Sequence, residues 1–308
     1  MKILKNWRVL LVALLILLVF AGCSTQGAST GSSGEVVIGV VSEPDSVDVH
    51  KTSSMGDANV PLYQTLLNFD NDGNLVPGLV EDYTVSDDGL SVTFELKKGV
   101  TFHSGEPVNA ETIKPSMERL MEISPFNTNI GSVQSIEVLG EHSLKVEWSE
   151  PFAPFFTNMT SPYLAPIDMS VLDDEGEGFE QNPSASGPLH LVDIKRGDSL
   201  VYEPFQDYTD WNEEGPGFDK VTFRFIPDDE TRVLEFKRGG INVLLDVPFQ
   251  YIEELEEDPE VDILRIPNYV LSYLGWNNKL PIFQDVNVRQ AISLAIDRDA
   301  ISDTTFNG

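Results

Sequence analysis

Ser86-Asp-Asp-Gly-Leu-Ser-Val-Thr-Phe-Glu-Leu-Lys-Lys-Gly-Val-Thr-Phe-His-Ser-Gly-Glu-Pro-Val-Asn-Ala110 carries a hairpin, a second turn and a helix start in immediate succession. Asp87-Asp88-Gly89 is turn chemistry, and Leu90, Val92, Phe94 and Leu96 after it alternate with polar residues, the period of a strand with one buried face. Tyr83–Ser86 on the other side completes a β-hairpin. Gly105 supplies the second turn, because glycine adopts backbone conformations that other residues resist. Asn109 then caps a helix running to about Met121, which Pro115 interrupts early.

Working upstream, Val36–Val41 reads as a short apolar strand and Ser42–Asp57 as a polar loop. Asp57 is the expected cap of a helix to about Leu67, with Pro61 tolerated in its first turn. Asp70-Asn71-Asp72-Gly73 is a turn; a calcium loop of the EF-hand type needs its glycine sixth, and here it comes fourth. Downstream, Val133–Leu139 and Ser143–Trp148 form a further strand pair, and the proline- and aromatic-rich stretch Pro151–Pro166 is irregular. Beyond Pro188 strands and helices alternate. Strands are expected at Leu189–Ile194, Ser199–Glu203, Val221–Ile226, Asn242–Val247, Val261–Ile266 and Tyr269–Trp276. Helices are expected at Asp229–Arg238, stopped by Gly239-Gly240, and at Phe249–Glu257. A last helix is expected from about Val286 to Ala300, with Val288, Ala291, Ile292, Ala295 and Ile296 along one face. This mixture points to an α/β protein and leaves its topology open.

The amino terminus is an address. Lys2, Lys5 and Arg8 precede an unbroken apolar run from Val9 to Ala21, the pattern of a secretory signal. The run is shorter than the roughly 20 apolar residues of a membrane-spanning helix. It ends at Phe20-Ala21-Gly22-Cys23, which resembles the lipobox of bacterial lipoproteins, with Phe20 where Leu or Val is usual. Cys23 is the one cysteine of the chain, so no intramolecular disulfide is possible and its position marks it as a lipid acceptor. Ser24–Gly34 lacks large apolar residues and forms a flexible tether with a reach of about 18 Å. Removing residues 1–22 takes away three positive charges and no acids, which carries the formal net charge from −30 to −33. A field of that sign repels nucleic acid and anionic lipid headgroups, and it suits a protein working in a salty or alkaline medium outside the cell.

Enzyme chemistry has no sequence support. His50, His103, His142 and His190 lack metal-site spacing and a cysteine partner, and they read as hydrogen-bonding loop and strand residues. No nucleophile elbow, phosphate loop or dinucleotide fingerprint is present, and no cofactor is implied. Acidic runs such as Asp173-Asp174-Glu175 and Glu253–Asp258 read as solvated faces.

From Ser42 onward the chain resembles the family 5 solute-binding proteins of ABC importers, whose members bind oligopeptides, dipeptides or nickel chelates. The likeness rests on Tyr63-Gln-Thr-Leu-Leu67, Gly73-Asn-Leu-Val-Pro77, Leu79-Val-Glu-Asp-Tyr83, the long stretch 86–110, Ser186-Gly-Pro188, Asp219-Lys-Val-Thr-Phe223 and Phe283–Asp297, in that order. Two departures stand out: Ala185-Ser-Gly-Pro-Leu189 where the family has Gly-Thr-Gly-Pro-Tyr, and Asp48-Val49 where it has Asp-Pro.

The resemblance implies a two-lobe fold of the class II periplasmic-binding-protein type whose C-terminal lobe is incomplete in this chain. It implies lobe I from residues 35–65 and 186–272, a family-specific subdomain at 66–185, and the start of the second ligand-binding lobe at 273–308. It further implies a monomeric receptor on the outer face of the cell membrane. That receptor captures peptides, or nickel chelates and other small solutes, for a membrane permease. A non-transporting surface peptide receptor, a chaperone-like binder or a non-functional truncated fragment are the alternatives. Ligand contacts map onto Ser53, Ser54 and Met55 in the loop after the first strand, onto Phe126, and onto Tyr273, Trp276 and Asn277 on a strand crossing between lobes. Gly89, His103, Gly105, Arg289 and Asp297 read as scaffold, the last two as partners in local ion pairs.

Overall fold

The computed structural model describes residues 34–54, 56–172, 178–266 and 273–305. The signal sequence, Cys23 and Met55 lie outside them. The chain divides into two compact units, one ending at Leu244 and one beginning at Leu245.

Two sheets organise the first unit. β1 (Glu35–Val40) pairs in parallel with β10 (Lys220–Phe225) and with β11 (Val243–Leu244). β9 (Ser199–Pro204) joins β10 antiparallel, and β8 (Leu189–Lys195) joins β9, giving the order β11-β1-β10-β9-β8. Leu189, which stands where the family has tyrosine, is buried on β8. The second sheet is antiparallel, in the order β4 (Val80–Val85), β5 (Ser91–Leu96), β7 (Ser143–Trp148), β6 (Val133–Gly140). Val92, Phe94 and Leu96 are fully buried along β5, as their alternation predicts, facing a core that also holds Leu144, Val146, Phe155 and Ile113.

The helix α1 (Ala110–Ile123) begins at Asn109, whose side chain accepts from the amides of Glu111 and Thr112 at 3.0 and 3.1 Å while Thr112 Oγ1 accepts from the Asn109 amide at 3.0 Å. Such a reciprocal cap stabilises a helix start by about 1 kcal/mol. Pro115 does not interrupt α1. The carbonyl that loses its partner there is that of Glu111, an exposed residue whose backbone water can serve.

Other expectations are corrected. The helix expected over 57–67 is a single 3-10 turn at Val60–Leu62. The carbonyls of Thr65 and Leu66 instead accept from the amides of Leu79, Gly78 and Val80, and β2 (Leu67–Phe69) pairs with β3 (Leu75–Pro77) across the Asp70–Gly73 turn. The stretch 151–166 holds a short helix, α2 (Pro154–Asn158), and a 3-10 turn at Pro162–Leu164. α3 (Gly178–Gln181) is one turn. The strand expected at 242–247 shrinks to β11, because Asp246 turns the chain through a positive φ of 50°. α4 (Asp229–Lys237) ends at Arg238 with Gly239 at φ 73°, as the Gly-Gly pair predicts.

In the second unit α5 (Phe249–Glu256) forms as expected. Residues 261–266 and 273–277 are not strand, since no other strand pairs with them among the described residues; 267–272 lie outside these. The expected long final helix is two, α7 (Val286–Ala295) and α8 (Arg298–Thr305), preceded by the single turn α6 (Pro281–Gln284). Extended backbone at Ile296 ends α7, and Asp297 restarts the helix by accepting from the Ala300 amide at 2.9 Å. Asp297 is therefore a cap. Arg289 donates to the carbonyls of Phe283 and Gln284 at 2.6 and 3.1 Å, so the expected ion pairs are replaced by helix-end hydrogen bonds.

Candidate functional site

The loop after β1 holds Ser53 and Ser54 of the expected ligand residues, Met55 lying outside the described ones, and is wound around two aspartates. Asp45 accepts from Ser53 Oγ at 2.7 Å, from the Ser53 amide at 3.0 Å, from the Ser54 amide at 3.4 Å, and from Thr52 Oγ1. Partial burial acts to raise its pKa, but these donors outweigh that and hold the carboxyl down at about 2. Ser53 thus spends its hydroxyl and its amide inside the loop, which presents its outer edge to solvent.

Asp48 is the second hub, and it is wholly buried. Its carboxylate takes both guanidinium nitrogens of Arg119 from α1, at 3.1 and 2.5 Å, and the His50 amide at 3.0 Å. Its carbonyl takes the amides of Lys51 and Thr52 at 2.9 and 3.0 Å. This is a fork-on-fork ion pair shielded from water. His50 donates Nε2 to the Ala165 carbonyl at 3.0 Å and is buried with Nδ1 unpartnered. Burial lowers its pKa most, Asp48 opposes that, and the result is about 4, so the ring is neutral at neutral pH. Further braces reach the same loop. Asn59 donates to the Ser46 carbonyl at 2.7 Å, Tyr202 to that of Ala58 at 2.7 Å, and Tyr63 to that of Val47. Ser46 Oγ donates to Glu180, which Arg196 meets at 3.3 Å.

The Phe102–Gly105 turn is scaffold. His103 donates Nε2 to the Gly187 carbonyl at 2.9 Å and accepts the Ala185 amide on Nδ1 at 3.3 Å, while its own amide bonds the Ala185 carbonyl at 2.8 Å. Burial is the largest influence on the ring and lowers its pKa to about 4. Ser104 and Ser184 both donate to Asp168, at 2.5 and 2.9 Å. The segment 184–187 is thereby sewn to the signature turn.

Phe126 sits at the fringe of the 66–164 core, its ring 4.3 Å from that of Tyr163. In the second unit, Tyr273 and Trp276 line a cavity of about 620 Å³ with Leu274, Ile296, Arg298 and Ile301. Tyr273 is 81% exposed and Trp276 leans on Phe283 at 5.3 Å. Asn277 accepts from the Lys279 amide at 3.1 Å, a turn-forming bond, so it stands apart from the cavity lining. Among the described residues no group of three or more His, Cys, Asp and Glu side chains could hold a metal ion.

In the sequence Asp48 stands out only as a departure from the family's Asp-Pro, and Asp45 and Arg119 do not stand out at all. The density of turn-forming side chains in Asp45-Ser-Val-Asp-Val-His-Lys-Thr-Ser-Ser54 was the available signal for the two aspartates. Arg119, distant in sequence, had none.

A mixed five-stranded sheet with a braced loop at the end of β1, beside an antiparallel subdomain, is the architecture of a mixed α/β extracellular solute-binding protein. Residues 74–308 match the family described as bacterial extracellular solute-binding proteins, family 5 Middle, and the chain belongs to that family. The family is one of solute binders, not of enzymes. Among curated relatives, the glutathione-binding protein GsiB of Pectobacterium atrosepticum is 28% identical over 80% of this chain and 48% of its own length. The probable D,D-dipeptide-binding periplasmic protein DdpA of Escherichia coli K12 is 30% identical over 89% of this chain and 55% of its own. The PBP AgaA of A.tumefacien R10, solved in complex with agropinic acid, superposes with a TM-score of 0.77 at 28% identity, over 89% of this chain and 56% of AgaA. The chain thus spans about half the length of the relatives it matches.

Proposed function

We propose that this is the substrate-binding lipoprotein of an ABC importer, holding peptides outside the cell for delivery to a membrane permease. The family match over 74–308 carries the importer reading. The peptide reading is supported by two relatives named for glutathione and for a dipeptide. AgaA, in complex with agropinic acid, favours a second reading in which the solute is another small molecule. Solute contacts fall on Ser53, Ser54, Met55 and Phe126 of the first unit and on Tyr273, Trp276 and Asn277 of the second. In this reading lobe I is 35–65 with 186–272, supported by the sheet that joins β1 to β8–β10. The subdomain is 66–185, supported by the single apolar core built from Leu66 to Leu164.

Residues 1–22 act as the export signal and Cys23 receives lipid, with 24–34 as tether. Among the described residues no helix is long and apolar enough to cross a membrane. Deleting the gene is expected to abolish uptake of a labelled peptide that the wild-type cell imports, and restoring the gene with Cys23→Ala is expected to release the protein from the membrane fraction. Unchanged peptide uptake in the deletion strain would sink the importer reading, and membrane retention of the Cys23→Ala protein would sink the anchor.

A further inference from the structure

We infer that the buried Asp48–Arg119 pair is the positioning device of the loop 48–54, setting Ser53 and Ser54 where the proposed function needs them. This inference rests on the reading of those serines as solute contacts. The two partners come from different parts of the first unit. Asp48 lies in the loop that leaves the five-stranded sheet at the end of β1, and Arg119 projects from α1, whose Ala110, Ile113, Met117 and Leu120 enter the core of the antiparallel subdomain. Charge, geometry and burial all make the link directional. The guanidinium fork meets both carboxylate oxygens, and water reaches little of the pair: the Asp48 side chain is 0% exposed and that of Arg119 10%. A lysine could supply the charge but not the second parallel bond.

From Asp48 the constraint passes along the chain through bonds already described. Its carboxylate holds the His50 amide and its carbonyl the amides of Lys51 and Thr52, so one residue closes the whole turn 48–52. Thr52, itself buried, then bonds Asp45 through its hydroxyl and receives the Ser54 amide on the same oxygen at 3.3 Å. Asp45 gathers Ser53 and Ser54 in turn. A displacement of Asp48 is therefore handed to both serines. A pair serving only to stabilise the fold would have little reason to accept this cost, since a buried ion pair is often no better for stability than an apolar pair of the same size.

The test is amide hydrogen exchange on the full chain, with and without glutathione as the probe solute. Arg119→Met is expected to raise exchange at His50, Lys51, Thr52 and Ser53 by at least about tenfold, while the amides of β5 and β7 keep their rates. Arg119→Lys is expected to restore part of the protection. If Arg119→Met leaves Asp48 buried without a partner and the protein fails to fold, the double variant Asp48→Leu with Arg119→Met removes both charges. It is expected to fold with the loop still unprotected. Loop amides that stay at wild-type rates in the double variant, or that accelerate only in step with β5 and β7, overturn the inference. The solute reading fails separately: a wild-type chain that binds glutathione no differently from its Ser53→Ala variant removes the serines from the site and leaves the exchange result standing.

Discussion

His50 and His103 are held alike: His50 is buried and His103 half-buried, each donates Nε2 to a backbone carbonyl, and each is kept neutral with its pKa down at about 4. An unfolded histidine titrates near 6.5, so between pH 6.5 and 4 the unfolded chain binds protons that the folded chain refuses. Stability is therefore full above pH 6.5 and falls as the pH drops toward 4, by on the order of 3 kcal/mol for the more deeply buried His50. Denaturant unfolding measured across this window should show the slope, and His50→Gln should flatten it while starting from a lower stability at pH 7.5. Parallel curves for the two proteins would exclude His50 as its source. The sequence shows that these histidines are not spaced for metal, but not that they are buried. Burial of His50 follows from Ala165 and Arg119 arriving from elsewhere in the chain, and a single strand of text holds no trace of that meeting. The same holds for the site: the serine loop is visible as a polar run, whereas the ion pair that braces it joins positions 71 residues apart.

At the scale of elements, local chemistry was readable wherever the segment supplies its own hydrogen bonds. The hairpin of β4 and β5, the cap of α1 and the Gly-Gly stop of α4 all close within a few residues, and all form as expected. The failures are elements whose bonds come from far away. Leu62 with Leu66 and Tyr63 with Leu67 have the four-residue spacing of a helix face and all are buried, yet the backbone at 65–66 is claimed by 78–80. Asp297 misled in the other direction, since a helix cap in the middle of a periodic apolar run reads as part of the run. Two glycines of the recognisable motifs separate the local from the distant cause. Gly105 has φ of 89° and open space around it, so Gly105→Ala should cost only the conformational penalty, about 1–2 kcal/mol. Gly187 has no such torsion, but a Cβ there would lie 2.4 Å from the Pro61 carbonyl oxygen and 2.5 Å from the Tyr63 nitrogen. Because the obstacle is backbone, Gly187→Ala should cost about 3 kcal/mol or more by forcing the 184–187 segment off the 61–63 turn. Thermal and denaturant unfolding of the two variants should rank them in that order; equal losses would mean that the close approach at Gly187 is relieved at no cost.

For the molecule as a whole, the contrast between the two units is a contrast in burial. The first unit encloses Val92, Phe94, Phe102, Leu144, Tyr202 and many others at essentially zero exposure. In the second, Leu255 is the one buried apolar residue among those described, while Leu264, Ile266, Leu274, Ile282 and Leu294 are each more than 60% exposed. Each large apolar side chain left in water forgoes about 1.5–3 kcal/mol of burial, and a helix of eight or ten residues without a packed face is marginal on its own. Neither α7 nor α8 has a buried residue, and the region is supported by local bonds: the caps of Asp285 and Asp297, the carbonyl bonds of Arg289 and the bond from Arg298 to Ser293. Local opening there needs little free energy, whereas opening β5 or β7 means dismantling the core of the first unit. The amides of α7 and α8 should therefore exchange at least about a hundredfold faster than those of β5 and β7. Trypsin should likewise cut at Lys279, Arg289 or Arg298 well before Lys145 of β7. Equal protection across both units, with one cooperative unfolding transition, would instead show that the exposed apolar side chains of the second unit find cover in solution, and that its helices share the stability of the first.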